Sequence, residues 1–211
     1  MRLLSLFICL SLSLHSEIID RLAIAVGHRI ITQLQLDEEL RVTALLNHKP
    51  VVRSLEERRE AADRLVEQLL IKIDMELSQY PMPSEGDVDK YLQQIVDSSG
   101  GAEEFAKALQ SFDLSTDVVR RHLELQLTEL RFIEYRFRPD VTASDADVEA
   151  AYARQVAGWK QSHNGPPPTL EASREPLRAM LIEERTDAAL NTWLAESRKR
   201  IAIAYFDKSL E

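Results

Sequence analysis

The chain has 211 residues, 45% of them hydrophobic, and its 26 basic and 35 acidic side chains give a formal net charge of −9. This apolar content suffices for one folded domain, or one domain with an appendage, and excludes a disordered chain, while the negative charge argues against a nucleic-acid-binding protein. The single cysteine, Cys9, lies in an apolar leader, so we expect no disulfide, thiol catalysis or cysteine metal site in the mature chain.

The first sixteen residues have the pattern of a secretory signal peptide. Arg2 supplies a minimal positive region, and residues 3–14 form an apolar segment punctuated by serines. This segment is shorter than the roughly twenty residues that a membrane-spanning helix needs. We therefore predict export, with cleavage after Ser16 favoured and a site after Ser13 as the alternative, and no stable membrane insertion.

Two short segments with the periodicity of strands lie at opposite ends of an otherwise helical pattern. Large apolar residues alternate mostly with alanine over residues 22–26 and again over residues 201–206, which is the period of a half-buried strand. Gly27 and His28 can form a two-residue turn, so the first strand is predicted to return as a hairpin over residues 29–31. We predict that the two terminal strands pair and close the chain around one helical body.

Capping signals and apolar spacing predict a series of helices between these strands. Proline-containing stretches and the pair Gly100-Gly101 separate the helices. The sixth predicted helix is short, and a loop over residues 159–169 with three consecutive prolines follows it. A long terminal helix then runs to about Arg200. The short fourth helix, after the glycine pair, has no predicted N-cap. The predicted N-caps of the other five among the first six helices are Thr32, Ser54, Ser84, Ser115 and Ser144.

The sequence contains no recognisable catalytic or metal-binding motif. Its histidines are not spaced as metal ligands, and a nucleophile elbow, a phosphate loop and a dinucleotide fingerprint are all missing. We therefore predict no enzyme activity, no catalytic residue, no cofactor and no metal. His122 is predicted to lie at the edge of a core, and the adjacent pairs Glu38-Glu39 and Glu183-Glu184 to be solvated surface.

Several apolar side chains lie outside the predicted helical stripes and are candidates for contact with a ligand. They fall at helix ends or near linkers, where some would remain exposed. Exposed, flexible apolar side chains suit promiscuous binding. The predicted peptide-binding residues are Met82, Phe112, Tyr152 and Trp159.

The chain resembles the SurA-type periplasmic chaperones over nearly the whole mature length. The resemblance implies a mainly α fold, in which a helical body like the SurA N-terminal domain carries a small antiparallel sheet and a long C-terminal helix. The N-terminal hairpin and the C-terminal strand would form that sheet. The segments that carry the resemblance are residues 20–37, 65–71, 141–152 and 193–203.

The resemblance also implies a single domain over residues 17–211 behind the signal peptide of residues 1–16. The predicted helical body covers residues 20–140. The connecting helix with the proline-rich linker covers residues 141–169, and the terminal helix with the closing strand covers residues 170–206.

The chain departs from these chaperones at one place, because relatives insert parvulin prolyl-isomerase domains where this chain has only the linker around residues 163–168. The resemblance therefore implies a periplasmic holdase without isomerase activity. It would bind unfolded or nascent exported polypeptides, such as outer-membrane protein precursors, in a groove between the helical body and the terminal helix. A dedicated adaptor for one secreted partner and a divergent prolyl isomerase stay open as alternatives, as does a homodimer.

Overall fold

The described residues, 20–162 and 165–210 of a computed structural model, form seven α-helices and one small sheet. This confirms the predicted mainly α fold with an antiparallel sheet and a long C-terminal helix. The predicted signal peptide lies outside the described residues. The elements are β1 (Leu22–Val26), β2 (Arg29–Thr32), α1 (Gln33–Leu46), α2 (Leu55–Leu77), α3 (Glu85–Ser98), α4 (Ala102–Ser111), α5 (Thr116–Arg136), α6 (Asp145–Ser162), α7 (Leu170–Arg200), β3 (Ile203–Tyr205) and a final 3₁₀ turn (Lys208–Leu210).

The sheet confirms that the two terminal strands pair. Its order is β2-β1-β3 with both pairings antiparallel, and Ile24 in the central strand lies opposite Ile31 on one side and Tyr205 on the other. Gly27 adopts a φ of +59° in the turn between β1 and β2, a conformation that glycine tolerates well. The chain therefore closes on itself through β1, as the alternation predicted.

The C-terminal segment differs in detail from its prediction. The strand begins at Ile203, because Ile201 caps α7 by donating its backbone N–H to the Ser197 carbonyl. Beyond the predicted end at residue 206, the chain continues into the 3₁₀ turn, where Leu210 is buried against the main core. A turn of three residues is too short to show a periodic pattern, so hydrophobic periodicity does not reveal it.

The helix starts follow the predicted caps closely. Thr32 and Ser84 each form a reciprocal capping box, with Gln35 and Asp87 respectively. Ser54 accepts the expected hydrogen bond from a backbone N–H of the first turn of α2. These local signals place the helix starts because each cap bonds to a backbone group only a few residues away.

Helix α6 is longer than predicted, and the linker after it is correspondingly shorter. The helix continues through Trp159 to Ser162, whereas the loop was expected to begin at residue 159. Proline disfavours helical backbone mainly at the residue before it, and the first proline of the linker is Pro166. Nothing between Trp159 and Ser162 forces the helix to end, which explains the extra turn.

We expect Thr32→Ala to lower the free energy of unfolding by about 1 kcal/mol, the usual value of an N-cap. Thr32 Oγ1 accepts from the Gln35 N–H while Gln35 Oε1 accepts from the Thr32 N–H, and the change removes one half of this box. Denaturant unfolding measures the loss. Thr192→Ala is the control, because Thr192 lies exposed within α7 and bonds only to the carbonyl of Ala188. An equal loss in both variants would contradict a capping role.

The buried side chains form three clusters. The largest joins the sheet, α2, the 3₁₀ turn, Phe132 of α5 and the C-terminal part of α7. A second joins α1, α3, α4 and the first half of α5, and a third joins α6 to the N-terminal part of α7. Helix α7 thus contributes to two clusters, and it links α6 to the helical body.

Within the two described ranges, no helix combines the length and the hydropathy that crossing a membrane would require.

Candidate functional site

The structure places the four predicted peptide-binding residues in three separate regions, all of them half-buried. Met82 packs against the main core, and its carbonyl accepts a hydrogen bond of 2.6 Å from Arg131 Nη1. Phe112 is the C-cap of α4 and packs against the second cluster. These two side chains complete cores at helix ends and do not share a surface with the other two.

Tyr152 and Trp159 are brought together, because both anchor the linker to α6. Tyr152 Oη donates to the Pro168 carbonyl at 2.8 Å, and Trp159 Nε1 donates to the Gly165 carbonyl at 3.0 Å. The two residues are seven positions apart and therefore lie close to the same face of the helix. Their polar tips hold the proline-rich segment in place, which is a structural use for both side chains.

A depression lies between the body and the terminal helix, where the predicted groove was expected. Arg136 of α5 lines one side and α7 lines the other, with Trp193 among the α7 residues. It is shallow and open to solvent, and none of the four predicted residues lines it. A more enclosed, more apolar cavity lies elsewhere in the body.

That cavity, called here the apolar groove, lies between β2, α1, α2 and α5. Its volume is about 110 Å³, comparable with the roughly 150 Å³ of an apolar cavity that takes up a benzene ring. It can therefore hold one large apolar side chain. Its apolar lining consists of Ile30, Ile31, Val42, Leu65, Leu69, Val118 and Leu125, and its polar lining of Gln35, Glu38, Glu39, Arg121 and His122.

Strand β2 combines an unpaired edge with an exposed apolar side chain at this groove. Among the described residues, β2 pairs with β1 alone, so its other edge has no strand partner. Ile30 is 57% exposed although it lines the groove. An edge strand can add an extended peptide through backbone hydrogen bonds while neighbouring pockets take its side chains. The geometry of β2 and the groove fits that binding mode.

The polar lining of the groove includes two contacts between α1 and α5, one an Arg–Glu ion pair and the other a buried Glu–His hydrogen bond. Glu38 Oε2 accepts from Arg121 Nη2 at 3.1 Å, with the Arg121 side chain largely in solvent. Glu39 Oε2 lies 2.9 Å from His122 Nδ1, and both side chains are buried. Arg64 of α2 donates to Glu39 Oε1 at 3.1 Å, which adds a third helix to the network.

The prediction that the Glu38-Glu39 pair is solvated surface is wrong for both residues, because Glu39 is only 4% exposed and the Glu38 side chain only 17%. Burial by itself would raise the pKa of Glu39, but hydrogen bonds and charges from His122 and Arg64 outweigh it and hold the pKa below its usual value. Glu39 is therefore an ionised carboxylate inside the protein. Glu183 and Glu184 are exposed, as expected.

The groove residues were not visible as a site in the sequence because they come from four elements. Leu65 and Leu69 belong to the apolar stripe of α2, and Val118 to that of α5, where helical spacing indicates core. Ile30 is the exception, because its position in the hairpin lies on the face opposite the large alternating residues of β1, and such a position indicates exposure. The gap between the elements, which makes the groove, is a property of tertiary packing.

Comparison with known proteins gives no match to a protein-family model and none to a curated protein. Within the described residues, no group of three His, Cys, Asp or Glu side chains is arranged to hold a metal ion. The chemistry of the apolar groove is that of noncovalent binding, since an apolar cavity and an unpaired strand edge provide burial and backbone hydrogen bonds.

Proposed function

We propose that this protein is an exported, periplasmic chaperone that holds unfolded polypeptides, such as outer-membrane protein precursors, and has no isomerase activity. The observation that carries the proposal is the apolar groove beside the unpaired edge of β2. An extended client segment would pair with β2 and insert one apolar side chain beside Ile30. The resemblance to SurA-type chaperones supports the same function.

The charge distribution also supports the proposal. A protein that exposes apolar surface for clients risks self-association, and a net charge of −9 opposes it. Backbone pairing does not depend on the client sequence, and a groove that holds one apolar side chain requires only that the client has a hydrophobic residue at intervals. Both properties suit binding to many different unfolded chains.

We expect Ile30→Asp to weaken suppression of client aggregation by about tenfold or more, since a carboxylate in an apolar site costs more than the roughly 1.4 kcal/mol that a tenfold change requires. The measurement is light scattering as a urea-unfolded outer-membrane β-barrel protein is diluted into buffer with increasing amounts of the mature protein. Because Ile30 is exposed, the variant should remain folded.

Leu130→Asp is the matched control, because Leu130 is also 57% exposed but lies on α5 and does not line the groove. It should suppress aggregation like the wild type. Equal activity of all three proteins would refute binding at the groove, and a wild type without any effect on aggregation would refute the holdase. Co-purification with a single folded protein, together with indifference to unfolded chains, would favour the adaptor alternative.

A further inference from the structure

The free edge of β2 offers a bound strand a single residue for backbone pairing. Val26 and Arg29 flank the two-residue turn and lie opposite each other. Such a pair closes the turn with its own backbone hydrogen bonds, and bonding alternates along an antiparallel ladder. Ile30, the next residue, therefore directs its N–H and C=O away from β1. The following outward N–H belongs to Thr32 and already donates to Gln35 Oε1 at 2.9 Å, so a client strand would pair at Ile30.

The pleat of the sheet determines which client side chain enters the apolar groove. Ile31 lies opposite Ile24 on the buried face and lines the groove, whereas Ile30 lies on the other face and is 57% exposed. Successive side chains of a strand alternate between the two faces. The client residue that pairs with Ile30 therefore points outward, and its neighbour points into the groove. Another client residue reaches the same face two positions, or roughly 7 Å, further along.

Arg121 is the accessible one among the charged side chains that line the groove. Its side chain is 58% exposed, against 17% for its partner Glu38. Within the described residues, its hydrogen bonding is limited to the contact of Nη2 with Glu38 Oε2 at 3.1 Å. A guanidinium carries five N–H donors in a planar fork that can hold a carboxylate by two bonds. Most of these donors are accordingly free for a ligand.

The two carboxylates of the groove are already compensated. Glu38 is held against Arg121, and the buried Glu39 lies 2.9 Å from His122 Nδ1 and accepts from Arg64 Nε at 3.1 Å. A client cation would therefore compete with partners that are in place, whereas a client carboxylate would find unused donors. The groove thus combines an apolar cavity with one exposed, largely unused guanidinium.

We propose that the groove selects polypeptide segments in which an apolar residue and an aspartate or glutamate stand two positions apart. The apolar side chain fills the groove beside Ile31, and the carboxylate binds Arg121 on the same face of the client strand. This selectivity rests on the proposed client binding at the groove and defines its substrate class. The formal net charge of −9 opposes it little, because salt screens charges beyond roughly 8 Å at physiological ionic strength.

The test is an NMR titration of the isotope-labelled mature protein, with the backbone amide of Ile30 as the reporter of binding. The probe is the blocked heptapeptide Thr-Thr-Leu-Thr-Glu-Thr-Thr, and its reversed sequence covers the opposite strand direction. Glutamine or lysine replaces the glutamate in two comparison peptides, and alanine replaces the leucine in a third. We expect the glutamate peptide, in at least one of the two orders, to bind about three- to fivefold more tightly than the glutamine peptide. The lysine peptide should bind most weakly of these three.

Replacing leucine by alanine should weaken binding by about tenfold or more, because the groove then stays unfilled. The double variant Arg121→Gln/Glu38→Gln removes both rim charges without leaving Glu38 unpaired. It should bind the glutamate and glutamine peptides equally and keep the requirement for leucine. Arg120→Gln is the matched control, since Arg120 is the next residue on α5, pairs with Asp89 and does not line the groove. It should keep the preference of the wild type for glutamate.

Equal binding of the glutamate and glutamine peptides by the wild type would overturn the proposal, as would a preference for lysine. So would an absence of binding at several millimolar peptide, or a glutamate preference that survives in the double variant. Binding that requires leucine but ignores charge would leave the groove as the client site and remove only this selectivity. A clear glutamate preference without any suppression of aggregation would keep the selective groove and remove the holdase.

Discussion

Phe132→Ala is expected to lower the free energy of unfolding by about 3–5 kcal/mol, the range for removing a buried aromatic ring. Phe132 is fully buried in the main cluster. Its ring centroid lies 4.6 Å from that of Trp193 on α7 and 5.5 Å from that of Phe137. The ring therefore joins α5 to the C-terminal part of α7, and its loss leaves a cavity between two helices that the backbone cannot close easily. Chemical denaturation measures the effect.

Leu130→Ala provides the control for this substitution, because Leu130 lies two residues away on α5 and is exposed. An exposed substitution of this kind changes stability by about 0.5 kcal/mol or less. In a Trp159→Phe background, emission from Trp193 should also shift to longer wavelength in the Phe132 variant as its surroundings become less apolar. A stability loss below about 1 kcal/mol would mean that the site collapses around the missing ring.

The parts of the fold that local chemistry determines could be predicted from the sequence. The capping boxes at Thr32 and Ser84 each involve a partner three residues away, and their positions were predicted correctly. The pairing of β1 with β3 could also be predicted, although the two strands are far apart in sequence. An isolated strand needs a partner, and the sequence shows strand patterns only near its two ends. The end of α6 was predicted less well, since no helix-ending residue stands between Trp159 and Ser162.

The candidate site could not be predicted in the same way. Glu39 follows Glu38 in sequence and has the same side chain, yet it is buried because His122, 83 residues away, and Arg64 meet it inside the body. Likewise, Tyr152 and Trp159 were candidates for exposed contact, but their polar tips anchor the linker. Which apolar residues line a cavity depends on how the helices pack, and a single helix pattern does not contain that information.

The buried pair also connects the two cavities. Glu39 and His122 line both the apolar groove and a second cavity of about 290 Å³ between α1, α2 and α5, so they form part of the wall that the two share. A polar group in that position is costly unless every bond is satisfied, and here the carboxylate has partners on α1, α2 and α5. The network therefore fixes the relative position of the three helices that form both cavities.

Breaking this network by Glu39→Ala is expected to lower the free energy of unfolding by about 3 kcal/mol near neutral pH, because it leaves the buried His122, together with the partly exposed Arg64, without its acceptor. Glu38→Ala is the matched control: Glu38 is also paired with α5, but its partner Arg121 is 58% exposed and stays hydrated after the change, so we expect a loss of only about 1 kcal/mol. Chemical denaturation of both variants measures the difference, and equal losses would contradict a special role for the buried pair.

The same variant should show a defined pH dependence. Because the pKa of Glu39 in the folded protein lies below its usual value of 4.5, its contribution to stability is fully present above that value and is lost as the pH falls through the lower, folded-state pKa. The stability difference between the wild type and Glu39→Ala should therefore shrink on acidification below pH 4.5. A difference that stays constant between pH 7 and the acid limit of folding would show that the carboxylate charge contributes nothing and that only the packing of the side chain matters.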